Sequence, residues 1–163
     1  MNKAMFQQLY DYNYWANRKL WECVMTLTEE QYRQHIDFSM GSICVQCVHI
    51  MAVEHWWFHF LKTGELDFIP EEDLGLPREE IRQQWDAVEQ NVRAYLDTIT
   101  PEELEREVKP PFWDDDEAPV KVWQALLQVA NHGTDHRAQT MAMLHTQFNA
   151  PTFGQDILSY LDK

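Results

Sequence analysis

The stretch VWQALLQVANHGTDHRAQTMAML, residues 122–144, sets the reading of this chain. Val122, Leu126, Val129, Gly133, Thr140 and Leu144 return at steps that suit one face of an α-helix turned toward a core. His132 and His136 stand four residues apart, about 40° round the helix from one another. Their stripe continues through Ala125, Val129 and Met143, all small or apolar, so both rings should point inward. Gly133 lies between them. A glycine inside a helix costs stability, and it is expected where a neighbouring helix or a ligand must come close.

Working outward, three more long helices can be placed. The first runs over about residues 3–25, with Phe6, Tyr10, Asn13, Asn17, Leu20 and Val24 on one stripe. The second covers about 41–62 and is apolar on most sides, which calls for cover by other helices and predicts a homodimer. The third, about 77–99, repeats Ile81, Trp85, Val88, Val92, Tyr95 and Ile99, with Pro77, Glu79 and Glu80 suited to its first turn. The fourth, containing the opening stretch, covers about 118–147. After the first and third helices, Leu27-Thr28-Glu29-Glu30-Gln31 and Ile99-Thr100-Pro101-Glu102-Glu103 each read as a staple and an N-cap that start a short extra turn. Loops rich in Pro and acid separate the helices at 63–76 and 106–118. No shift in composition divides the chain. Residues 1–163 therefore read as one domain, an all-α four-helix bundle.

The composition narrows the partners. Twenty-seven acidic against 13 basic side chains give a formal charge of −14. Such a surface repels phosphate and anionic lipid, and no basic patch offsets it, so neither nucleic acid nor a membrane is expected. No apolar run approaches membrane-spanning length, and the N-terminal residues lack the form of a signal peptide. Three cysteines without an export signal suit reduced thiols in a cytoplasm.

The remaining histidines separate by angle. With His49 as origin, its stripe holds Ser42, Gln46, Val53, Trp56 and Phe60 and faces inward. His55 and His59 fall at about 240° and 280°, off that stripe, and read with His35 and His145 as exposed or at a subunit contact. One inward histidine is ordinarily a satisfied core group. Three of them, His49, His132 and His136, need three partners or one cation. Cys44 and Cys47 point away from His49 inside a helical run and read as buried thiols. The acidic run Asp114-Asp115-Asp116-Glu117 lacks the ligand spacing of a calcium loop and reads as solvated.

Three stretches together resemble the DinB/YfiT-like superfamily. They are Asp11-Tyr12-Asn13-Tyr14-Trp15-Ala16-Asn17-Arg18-Lys19-Leu20, Val48-His49-Ile50 with Glu54-His55-Trp56-Trp57, and Asn131-His132-Gly133-Thr134-Asp135-His136-Arg137-Ala138-Gln139. Ala138 departs from the Gly found in many members. The resemblance implies a bundle in up-down-down-up order, often dimeric. It implies metal ligands at His49, His132 and His136, holding one divalent ion, nickel or zinc foremost and iron or manganese next. The family's damage-inducible name implies no contact with DNA.

Three neutral imidazoles leave coordination positions open, the layout of a reactive rather than a sealed site. The resemblance implies transfer of a low-molecular-weight thiol to a small electrophile, or hydrolysis of an amide-like substrate. The other expectation is a non-catalytic, dimeric stress protein with a stabilising metal. No general base stands on the metal-facing stripes. Asp135 lies about 60° or more to the side. Asn13 and Asn17 read as pocket lining or helix–helix hydrogen bonds, and Trp56 as core or pocket wall.

Overall fold

The computed structural model describes residues 1–162. Four long helices are present: α1 (Lys3–Val24), α3 (Ile43–Thr63), α4 (Arg78–Thr98) and α6 (Val122–Phe148). The short turns α2 (Glu29–Arg33) and α5 (Pro101–Glu105) follow the first and third of them, as the two capping sequences foretell. Thr28 and Gln31 complete a reciprocal capping box, and the Thr100 side chain accepts from the Glu103 backbone N–H. Ser42 caps α3 at its start, and Gly64, at φ 77°, ends it.

Three features differ from the sequence reading. Helix α6 begins at Val122 rather than near 118, because Val120 and Lys121 (β2) pair antiparallel with Glu107 and Val108 (β1). A terminal helix α7 (Ile157–Leu161) was not expected. Pro77 stands at the N-cap of α4, one position before the first turn.

Side-chain contacts fix the helix directions. Helix α1 runs antiparallel to α4: Gln7 donates to Asp97 at 2.9 Å, Arg93 to Asp11 at 2.5 Å, and Arg18 to Glu89 at 2.7 Å. It runs parallel to α6, because Tyr10 meets the Leu126 carbonyl at 2.9 Å and Asn17 meets Arg137 at 2.8 Å. Helix α3 opposes α6, with Gln46 near Met143 and His49 near His136. It runs with α4, as Glu54 meets Trp85 and Phe58 meets Tyr95. The order is up-down-down-up.

Two parallel neighbours in sequence impose a long return. Helix α3, 21 residues, is about 30 Å long, so the connection over 64–77 must travel the length of the bundle in extended form. Leu66, Ile69, Leu74 and Leu76 press it against the core. With that cover and the other helices, α3 buries nearly every side within its own chain. Among the described residues no helix is long and apolar enough to cross a membrane.

Three charged side chains are buried, Glu54, Glu89 and Arg137, and the first and last of them lie deepest in the core. Glu54 is 1% exposed and Arg137 is 0% exposed. Asn13 joins them: its Nδ2 donates to Glu54 at 2.7 Å, and its Oδ1 accepts from Arg137 at 2.5 Å. Trp85 donates to the other Glu54 oxygen at 3.3 Å, and Arg137 also donates to Asn17, Thr134 and Gln155. All four long helices thus contribute to one hydrogen-bonded line. Burial pushes the Glu54 carboxyl up to about 7, against the pull of Trp85, Arg137 and Asn13. The folded state therefore holds this proton more tightly than the unfolded chain. Its contribution to stability is complete below about pH 4.5 and is lost as pH rises through about 7. Denaturant titrations at pH 5 and pH 8 should show the wild type losing on the order of 3 kcal/mol that Glu54→Gln does not lose. Equal pH dependence in the two proteins would contradict this placement of Glu54.

Candidate metal centre

Helix α3 presents His49 in its second turn, and the middle of α6 presents His132 and His136 across from it. The antiparallel crossing brings the three rings together. His49 Nε2 lies 2.9 Å from His132 Nε2 and 3.2 Å from His136 Nε2. The three residues are half-buried and are the one group of His, Cys, Asp or Glu among the described residues placed to share a metal ion.

The outer nitrogens decide what the inner ones can do. His49 Nδ1 lies 2.6 Å from Glu71 Oε2, a carboxylate that accepts, so Nδ1 carries the proton. His136 Nδ1 lies 3.0 Å from Gln46 Oε1, while the Gln46 amide nitrogen donates to Ser39 at 2.6 Å. In the neutral rings both Nε2 atoms are then bare lone pairs. Burial first, and the neighbouring histidines second, hold His132 down to about 4; the same causes lower His136. These rings are neutral at pH 7. A proton on His132 Nε2 can serve one of the two lone pairs facing it and not both, so the triangle is left short of positive charge.

The spacing fits a cation at its centre. Metal–imidazole bonds of about 2.0–2.1 Å set nitrogens about 2.8–3.0 Å apart across octahedral angles and about 3.3–3.4 Å apart across tetrahedral ones. The separations of 2.9 and 3.2 Å match those two spacings to about 0.1 Å. Neutral imidazoles suit a divalent first-row ion and do not choose among such ions.

Glu71 is the residue the sequence reading missed. It belongs to the 64–77 return, whose path follows from the parallel α3 and α4, and nothing local in the sequence marks it. Asp135 is exposed and accepts from Gln139 at 3.0 Å, and its charge acts on His132 and His136 against the lowering of both rings. Asn13 and Asn17 bind Arg137 rather than lining a pocket. Trp56 is half-buried and stacks on Trp57 at 4.4 Å, so it belongs to a surface aromatic group rather than to the deep core. His55 faces elsewhere, 3.0 Å from Asp67, with His59 beside it; His35 and His145 are exposed. Cys44 and Cys47 are buried free thiols, and burial drives both upward, Cys44 to about 11. They are unreactive at neutral pH.

The fold and the convergent histidines define a class: helical bundles with a candidate metal site built from two facing helices. The chain belongs to the DinB family, whose model matches residues 1–151. Among solved structures it is similar to a conserved protein from Enterococcus faecalis, at 13% identity and TM-score 0.69 over 85% of this chain and 94% of that one. A DinB-like protein from Bacillus cereus matches at 20% identity and TM-score 0.65, over 91% and 94% of the two chains. YfiT from Bacillus subtilis, described as a probable metal-dependent hydrolase with an unusual four-helix bundle topology, matches at 17% and 0.64, over 91% and 90%. Among curated proteins none matches.

Gly133 ties the centre to the core. A Cβ there would meet Arg137 Nη1 and Asn13 Oδ1, each at 3.1 Å, and both atoms are fixed in the buried line described above. The gain in helix propensity is therefore outweighed. Gly133→Ala should lower stability by roughly 1–3 kcal/mol, seen as a fall in the denaturant midpoint. A rise would mean that Asn13 and Arg137 yield freely.

Proposed function

We propose that this protein is a metal-dependent enzyme whose single divalent ion is held by His49, His132 and His136. The supporting observation is the triangle of Nε2 atoms with the outer nitrogens of two rings tied to Glu71 and Gln46. A divalent ion bound by three neutral ligands supplies Lewis acidity, easing deprotonation of water or a thiol and polarising a carbonyl. The protein's own part is orientation. Glu71 and Gln46 fix ring tautomer and direction, Gly133 lets α1 close against α6, and the 64–77 return shields the His49 side from bulk water.

On this reading the substrate is a small electrophile or an amide-like molecule, attacked by water in a hydrolysis or by a low-molecular-weight thiol in a transfer. Hydrolysis is the preferred reaction, in line with the structurally similar YfiT, which is described as a probable metal-dependent hydrolase. One observation favours the non-catalytic alternative. Glu71 is committed to His49, and Asp135 to Gln139, so neither carboxylate is a free base.

Protein purified without a histidine tag should carry one divalent ion per chain by elemental analysis. His49→Ala, His132→Ala and His136→Ala should each lose it. Glu71→Ala should bind metal about 10–100-fold more weakly with the fold intact, as expected when the partner that orients a ligand is removed. Loaded wild type should turn over members of an anilide, ester or thiol-conjugation panel, and His49→Ala should not. Full metal occupancy with no turnover, and loss of stability alone in the variant, would establish the non-catalytic reading instead.

A further inference from the structure

We infer that the cavity between Trp57 and Trp113 binds the cationic, aromatic end of the substrate. This inference rests on the metal-centre reading only for the word substrate; binding itself needs no metal. The cavity, about 420 Å³, is lined by Trp57, Trp113, Val120, Gln124, Ala125 and Gln128. That volume lies within the usual range for a small-molecule site, and its walls are mainly apolar with two amides.

Its position relates it to the histidines. Gln128 lies one turn before His132 on α6, and Ala125 lies two turns before and about 20° round from it. On the facing helix, Trp57 stacks on Trp56, which stands on the His49 stripe two turns further along. The seven-residue step from Ala125 to His132 spans about 10 Å of helix axis, a distance within the length of a small molecule.

The chemistry of the occupant follows from rings and charge. The Trp57 and Trp113 rings stand 6.2 Å apart at 79°, forming a corner of two indole faces. Beside it, Trp56, Phe68 and Phe112 form a mutual group at 5.5–6.1 Å, with Phe68 54% and Phe112 53% exposed. Indole faces are the best aromatic partners for a cation. The two loops that meet at Phe68 and Phe112, residues 64–77 and 110–119, hold acidic side chains and no Lys or Arg; four acids, Asp114 to Glu117, follow Trp113 directly. The bases that flank the second of these loops are engaged: Lys109 donates to the Asp115 carbonyl and Lys121 to Glu105. An apolar corner in a negative field complements a flat molecule bearing a quaternary or protonated amine, and it repels an anion of the same shape.

Calorimetry with benzyltrimethylammonium, benzyl alcohol and benzenesulfonate on the full chain tests this, with and without metal. The cation should bind at least tenfold more tightly than the alcohol, and the sulfonate should not bind detectably. Trp113→Leu, which keeps apolar bulk and removes the π face, should weaken the cation fivefold or more, and Trp113→Phe should restore most of it. Equal affinity for cation and alcohol in the wild type, or unaltered cation binding in Trp113→Leu, would overturn the inference. Neither result touches metal content, which elemental analysis reads separately. A metal-loaded protein that ignores the cation refutes this site alone, and a cation-binding protein without metal refutes the metal centre alone.

Discussion

Three imidazole nitrogens that face one another at 2.9 and 3.2 Å form the constraint around which the rest of the molecule is arranged. Neutral rings do not hold lone pairs together without a positive charge between them, and here the outer nitrogens have been given partners that keep the inner ones bare. One of these partners is local: Gln46 lies on the same helix as His49 and reaches across to His136. The other is not. Glu71 reaches His49 only because α3 and α4 run parallel and the chain must return along the bundle to join them. The helix order and the carboxylate beside the histidine triangle are consequences of the same connection.

Beneath the histidines, the buried line from Glu54 through Asn13 to Arg137 holds the four helices in register. Charged groups in a core are costly unless fully paired, and their common use is to select one arrangement over others. Arg137 is the residue after His136, and its four hydrogen bonds are spread over α1, α6 and the segment that carries Gln155. Any rotation of α6 that displaced the histidines would break these bonds. The core polar line and the histidine triangle thus restrain α6 from two adjoining faces, with Gly133 as the place where α1 comes near.

Much of this was legible in the sequence because the relevant patterns are local. The four helices follow from apolar steps of three and four, and the convergence of His49, His132 and His136 follows from helix angles plus the packing of two inward faces. The two capping sequences at Thr28 and Thr100 also read correctly. What escaped depends on partners distant in the chain. Glu54 looks like any helical carboxylate until its burial is known, although its place among Val53, Trp57 and Phe58 was a signal that it would need partners. Asn13 and Asn17, four apart on an inward stripe, announced a polar group opposite them without naming Arg137. Strands of two residues at β1 and β2 are too short to leave a period, and the five residues of α7 likewise.

The account rests most heavily on one ion sharing three ring nitrogens. Anomalous scattering from crystals of untagged protein, collected on both sides of the absorption edge of the metal found by elemental analysis, tests it most directly. The account predicts one peak per chain, bonded to the Nε2 atoms of His49, His132 and His136 at about 2.0–2.2 Å. A peak elsewhere, or fully loaded protein with no density among the three rings, would contradict it.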